Sequence, residues 1–72
     1  MSIHLAAEAA MGAGLPELAT IEEAAAWLRT PVSTLYNWRS RGRGPKAVKI
    51  GRNLAYPRTN LVQFVRELEE SA

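Results

Sequence analysis

The sequence predicts a mainly α fold with one small β-hairpin: a helix, a tight turn, a second helix, a two-stranded wing and a C-terminal helix. Three observations predict it. Ile21, Ala24, Ala25 and Leu28, and again Leu61, Phe64, Val65 and Leu68, follow the i, i+3, i+4, i+7 spacing of one buried helical face. A second helical stretch over residues 31–41 begins only a few residues after the first stripe ends, the sequence form of two helices joined by a turn. Gly42, Gly44 and Pro45 then break the helical pattern, and residues 47–56 read as two short strands.

Seventy-two residues hold one domain at most. The expected organisation is a partly ordered N-terminal tail over residues 1–17 and a globular domain over 18–72. Such a core is small, but domains of about 55–65 residues fold unaided. Cysteine is absent, which excludes disulfides and thiolate metal sites, and the single histidine, His4, has no co-ligands near it. Neither metal nor cofactor is expected. No apolar run approaches the roughly 20 residues of a membrane span. The N-terminus lacks the basic start and long apolar core of a signal peptide, so no membrane contact and a cytoplasmic location are expected. No enzyme is expected either: the chain has no Asp, no histidine beside a nucleophile and no Gly-rich phosphate loop after a strand.

Charge is segregated. The net charge is only +2, yet no acid lies between Glu23 and Glu67, and all nine Lys and Arg residues fall inside that gap. A basic middle between acidic ends creates a local field that attracts a polyanion. A merely solvated basic loop is the plainer reading, but these charges run through several elements.

Each element has its own justification. Ile3 to Ala10 can form a short helix because Ala favours one, but short isolated helices are marginal in water. A contact with a neighbouring subunit or partner is the alternative for this tail. Thr20 and Glu23, three apart, make a capping box for the first helix, and Glu22 and Glu23 suit the positive end of its dipole. Trp27 lies beside the apolar stripe and is expected to cover the core's flank rather than anchor a partner. Thr30 is expected to cap the second helix, with Pro31 at its first position, where no N–H is needed.

The second helix has two unlike faces. Val32, Leu35 and Trp38 make an apolar stripe, while Ser33, Thr34, Asn37 and Arg41 make a polar one. Short hydrogen-bonding side chains on an exposed face suit contact with another molecule better than simple solvation, which favours Glu/Lys pairs. This helix is therefore read as the recognition helix of a DNA-binding domain.

In the hairpin, a two-residue turn at Gly51-Arg52 would set Lys49 opposite Leu54. A three-residue loop, Gly51-Arg52-Asn53, sets Ile50 opposite Leu54 and Val48 opposite Tyr56. Only the latter gathers the apolar residues on one face, so the three-residue loop is expected, with Arg52 at the tip and Lys49 on the outer face. Pro57 closes the strand and opens a helix over about Arg58 to Glu70, whose acidic end stays away from the basic surface.

In order, Ile21-Glu22-Glu23-Ala24-Ala25, Ser33-Thr34-Leu35-Tyr36-Asn37-Trp38, Gly42-Arg43-Gly44-Pro45, Val48-Lys49-Ile50-Gly51-Arg52 and Tyr56-Pro57-Arg58 resemble the excisionase and MerR-like helix-turn-helix family. The resemblance spans residues 18–68 and implies a minimal winged helix-turn-helix. One departure stands out. Members often carry Gly followed by a β-branched residue at the turn, where this chain has Arg29-Thr30; an Arg forced to positive φ there would be strained.

The resemblance implies sequence-specific binding of double-stranded DNA. It further implies an excisionase, a recombination directionality factor, which binds and bends DNA beside an attachment site and directs integrase-mediated excision of a phage or mobile element. A phage or element integrase is then a partner, and copies can associate side by side on DNA. Small size and the lack of an effector domain favour this over a small MerR-like transcriptional regulator, the alternative. A protein-binding module acting through Trp27 or the last helix fits the charge map less well.

Base-edge readout is assigned to Ser33, Thr34 and Asn37, the last able to pair with adenine. Val32 could meet a thymine methyl or belong to the core. Tyr36 is expected to donate to a phosphate, and Arg39 and Arg41 to serve either job. Arg43, Lys46, Lys49 and Arg58 are assigned to phosphates, and Arg52 to a phosphate or the adjacent minor groove.

Overall fold

The computed structural model of the chain describes residues 14–71. In chain order the elements are β1 (Leu18–Thr20), α1 (Ile21–Leu28), α2 (Val32–Ser40), β2 (Val48–Ile50), β3 (Asn53–Pro57) and α3 (Arg58–Ser71). The fold is a winged helix-turn-helix with three helices, as expected. The expected N-terminal tail lies outside the described residues up to position 13; beyond that it is part of the fold. Leu15 is buried in the core, and its carbonyl accepts a 3.1 Å hydrogen bond from the Arg58 guanidinium. The core thus reaches back ahead of Leu18, the expected start.

The start of α1 follows from local chemistry. The Glu23 amide donates to the Thr20 hydroxyl oxygen at 3.0 Å, and the Thr20 amide donates to a Glu23 carboxylate oxygen at 2.9 Å. This reciprocal box satisfies two donors that a helix end otherwise leaves open. At the other end Arg29 adopts φ 54° and ψ 44°, the left-handed region. The Arg29 amide donates to the Ala26 carbonyl and the Thr30 amide to the Ala25 carbonyl, the paired bonds of a Schellman ending. The turn takes the positive φ that a glycine adopts without strain, on an arginine.

Thr30 does not cap α2. Its hydroxyl donates back to the Leu28 carbonyl at 2.9 Å, while Pro31 is extended (ψ 146°) and stands before the first helical residue. The Thr34 amide donates to the Pro31 carbonyl at 3.0 Å, so α2 begins on backbone bonds alone.

The wing differs from expectation in two ways. It belongs to a three-stranded antiparallel sheet of order β1-β3-β2, because Leu18–Thr20 pairs along the free edge of β3. Its turn has two residues: Ile50 pairs with Asn53, Lys49 with Leu54 and Val48 with Ala55. Gly51, at φ 62°, takes the first loop position, where a type II′ turn needs positive φ and matches the twist of the strands. The three-residue register assumed that Val48 and Ile50 had to be buried with Tyr56. Instead β1 supplies Ala19 opposite Tyr56, and both are 1% exposed. Val48 and Ile50 stay on the outer face with Leu18, at 42%, 54% and 51% exposure.

Ala19, Ile21, Ala24, Ala25, Leu35, Tyr56 and Leu61 join Leu15 in the core. The alanines of α1 keep that helix's inner face low, so α2 and β3 can both pack against it. Trp27 lies half-buried against the core, the flank position expected of it. On α3, Leu61 is fully buried and Phe64 and Val65 half-buried, but Leu68 is exposed. The apolar stripe therefore continues a turn past the surface it covers.

Candidate nucleic-acid interface

The inner face of α2 fixes its outer one. Leu35 is buried and Val32 and Trp38 are half-buried against the core. Residues on the opposite side of a 3.6-residue repeat must then face outward. Ser33, Tyr36, Asn37, Arg39, Ser40 and Arg41 are exposed, and Thr34 is half-buried. Val32 belongs to the packed side.

Trp38 also holds the basic loop after α2. Its ring lies 5.4 Å from that of Phe64 at a tilt of 51°, and its carbonyl accepts the Arg43 amide at 2.7 Å. Gly44, at φ 80°, lies so close that a Cβ there would come within 2.9 Å of the indole Cε3. The Lys46 carbonyl accepts from the Asn60 side chain at 3.0 Å, tying the far end of the loop to α3. Arg41, Arg43 and Lys46 are thus exposed on a segment pinned at both ends.

Between α2 and the wing lies a cleft of about 350 Å³. Tyr36 and Arg39 line it from α2, and Lys49 and Arg52 from the hairpin. The two-residue turn is what brings Lys49 here. One residue of register reverses every side chain of a strand, so Lys49 shares the inner face with Leu54 and lies in the cleft, not on the outer face as expected. Arg52 stands at the tip, as expected. Beneath α2, burial raises the Tyr56 phenol above its ordinary value of 10.0, and the nearby Arg39 charge partly offsets this.

Arg58 is drawn elsewhere. It is half-buried, its guanidinium donates to the Leu15 carbonyl and its amide to the Glu17 carbonyl at 2.9 Å. It serves to dock the chain's entry to β1, a job unforeseen from sequence. The remaining assigned residues fall on three neighbouring elements: the outer face of α2, the loop after it and the wing. Glu22 escaped attention as a surface residue. It lines the same cleft, and its only sequence signal was its place at a helix start.

A helix presenting short polar side chains, flanked by a basic wing, defines a small winged helix-turn-helix protein. A helix-turn-helix domain model matches residues 20–69, and the chain belongs to that family. It is accordingly a sequence-specific DNA-binding protein, of a family that is typically non-enzymatic. No curated protein and no solved structure matches it. Among the described residues, no helix is long and apolar enough to cross a membrane.

Proposed function

We propose that the protein is an excisionase: it binds duplex DNA beside an attachment site, bends it and directs an integrase toward excision. The observation that carries the DNA-binding part of this reading is the exposed Ser33 and Asn37 face of α2 beside a cleft lined by Arg39, Lys49 and Arg52. In this reading α2 enters the major groove. Ser33, Thr34 and Asn37 meet base edges, where short and amide side chains can discriminate among base pairs. A backbone strand runs along the cleft, with the Tyr36 hydroxyl and Arg39 on one side and Lys49 and Arg52 on the other. Arg41, Arg43 and Lys46 hold neighbouring phosphates. Arg58 is left out of this set because its guanidinium is occupied within the fold.

Phosphate contacts fix register, and base contacts carry the sequence information. Bending follows when helix and wing both engage, provided the added contacts offset the cost of deforming the duplex. The excisionase role itself rests on the ordered resemblance from Ile21 to Arg58. A small MerR-like transcriptional regulator is the second reading, favoured by the same motifs. An excision assay separates them: integrase and an attachment-site substrate are incubated with and without the protein. Stimulated excision supports the proposal. Unchanged excision, with DNA binding intact, leaves the regulator as the better reading. Side-by-side association of copies would appear in the same system as cooperative binding to longer duplexes.

A further inference from the structure

We infer that Glu22 limits how tightly the cleft holds the DNA backbone, acting as a built-in brake on sequence-independent binding. Glu22 is exposed on the first turn of α1 and lines the cleft together with Arg39, Lys49 and Arg52. Its neighbour Glu23 is committed to the capping box. The Glu22 carboxylate makes no hydrogen bond or ion pair with any described residue, even though three cations line the same cleft. Among the described residues it therefore has no partner through which to hold the fold or be neutralised. A phosphate entering the cleft meets attraction from the cations and repulsion from this charge. Sequence-independent affinity is carried by backbone contacts, so a single carboxylate among them weakens every such complex. The same penalty applies at chosen sites, where the base-reading face of α2 adds affinity on top of it, so the complexes brought below useful strength are those with bulk DNA.

The inference rests on the proposal that the cleft meets the backbone, and the test keeps the two apart. Binding of the full chain to a short random-sequence duplex is measured across a salt series for the wild type, Glu22→Gln and Glu22→Asp. Glu22→Gln should bind about five-fold more tightly at low salt, the factor that one like-charge pair at contact is worth in water. Its log-log salt slope should steepen by up to about 0.9, one phosphate's share. Glu22→Asp keeps the charge and should match the wild type.

A purely structural role, through the charge at the helix start, predicts the reverse: Glu22→Gln would lower the melting temperature and weaken binding. Unchanged or weaker binding by Glu22→Gln, with normal wild-type salt dependence, overturns the brake. A flat salt response in the wild type itself would instead remove the cleft reading on which the brake depends.

Discussion

Replacing Arg29 by glycine should make the protein more stable. Arg29 sits at φ 54°, ψ 44°, and is the only non-glycine with positive φ among the described residues. For an L-residue with a Cβ, that conformation costs about 1–2 kcal/mol. Glycine removes the cost but adds unfolded-state freedom worth roughly 0.5–1 kcal/mol. The guanidinium makes no hydrogen bond or ion pair with described residues, so its removal breaks none among them. At the middle of these ranges the net gain is about 0.75 kcal/mol, since the Schellman bonds of the turn need only backbone atoms. For a domain of this size that raises the melting temperature by roughly 3–6 °C. Thermal and urea unfolding followed by circular dichroism and by Trp27 and Trp38 fluorescence measure it. Arg29→Ala is the control: it removes the guanidinium and keeps the Cβ. If alanine stabilises as much as glycine, or glycine destabilises, left-handed strain at the turn is not the cause.

Three further predictions follow from the site and the core. Asn37→Ala should cost about 1–3 kcal/mol of discrimination at one base position, with weaker effects elsewhere, read by binding to a set of single-base-substituted duplexes; a uniform loss across all positions would assign Asn37 to the backbone. Gly44→Ala puts a Cβ 2.9 Å from the Trp38 ring at φ 80°, and should destabilise by about 1–3 kcal/mol, with a shift in tryptophan emission as the indole gives way. Tyr56 has a folded pKa raised by burial, so its stabilising contribution is full below pH 10.0 and is lost as pH rises from there through the folded value. Tyr56→Phe cannot ionise, and its denaturation midpoint should fall less than the wild type's between neutral and strongly alkaline pH.

What the sequence revealed depended on how local the cause was. The capping box of α1 lies within four residues, and the apolar spacing of α1 and α2 reflects packing that recurs every turn. Both were legible. The hairpin register was not, because part of its cause lies more than thirty residues from Tyr56 in the chain: Ala19 of β1 packs beside Tyr56 on the other edge of β3, so the core does not need Val48 and Ile50 turned inward. Strand β1 is itself three residues long, too short to show an alternating pattern. Thr30 was misassigned because a hydroxyl between two helices can serve either, and the Leu28 carbonyl took it. Leu68 keeps helical spacing yet is exposed, so periodicity alone overstated the core. At the site, the residues on the outer face of α2 could be placed because their inward neighbours Leu35 and Trp38 were identifiable. Lys49 and Glu22 could not be brought into one cleft until the register and the position of α1 beside the wing were known.

The two-residue turn also imposes an arithmetic on the wing. Side chains along a strand change face at every step, so the lysine reaches the cleft only while the number of residues between it and the core-facing pair at Tyr56 keeps its parity. Lengthening the hairpin by one residue on each strand beyond the Lys49–Leu54 pair leaves the lysine in the cleft but turns the tip over; adding two on each strand restores the facing of the tip and carries Arg52 farther outward. Variation in such wings is therefore expected to come in steps rather than single residues, with reach adjusted by whole pleats. A lone insertion is best absorbed as a bulge, which would redirect the tip instead of extending it.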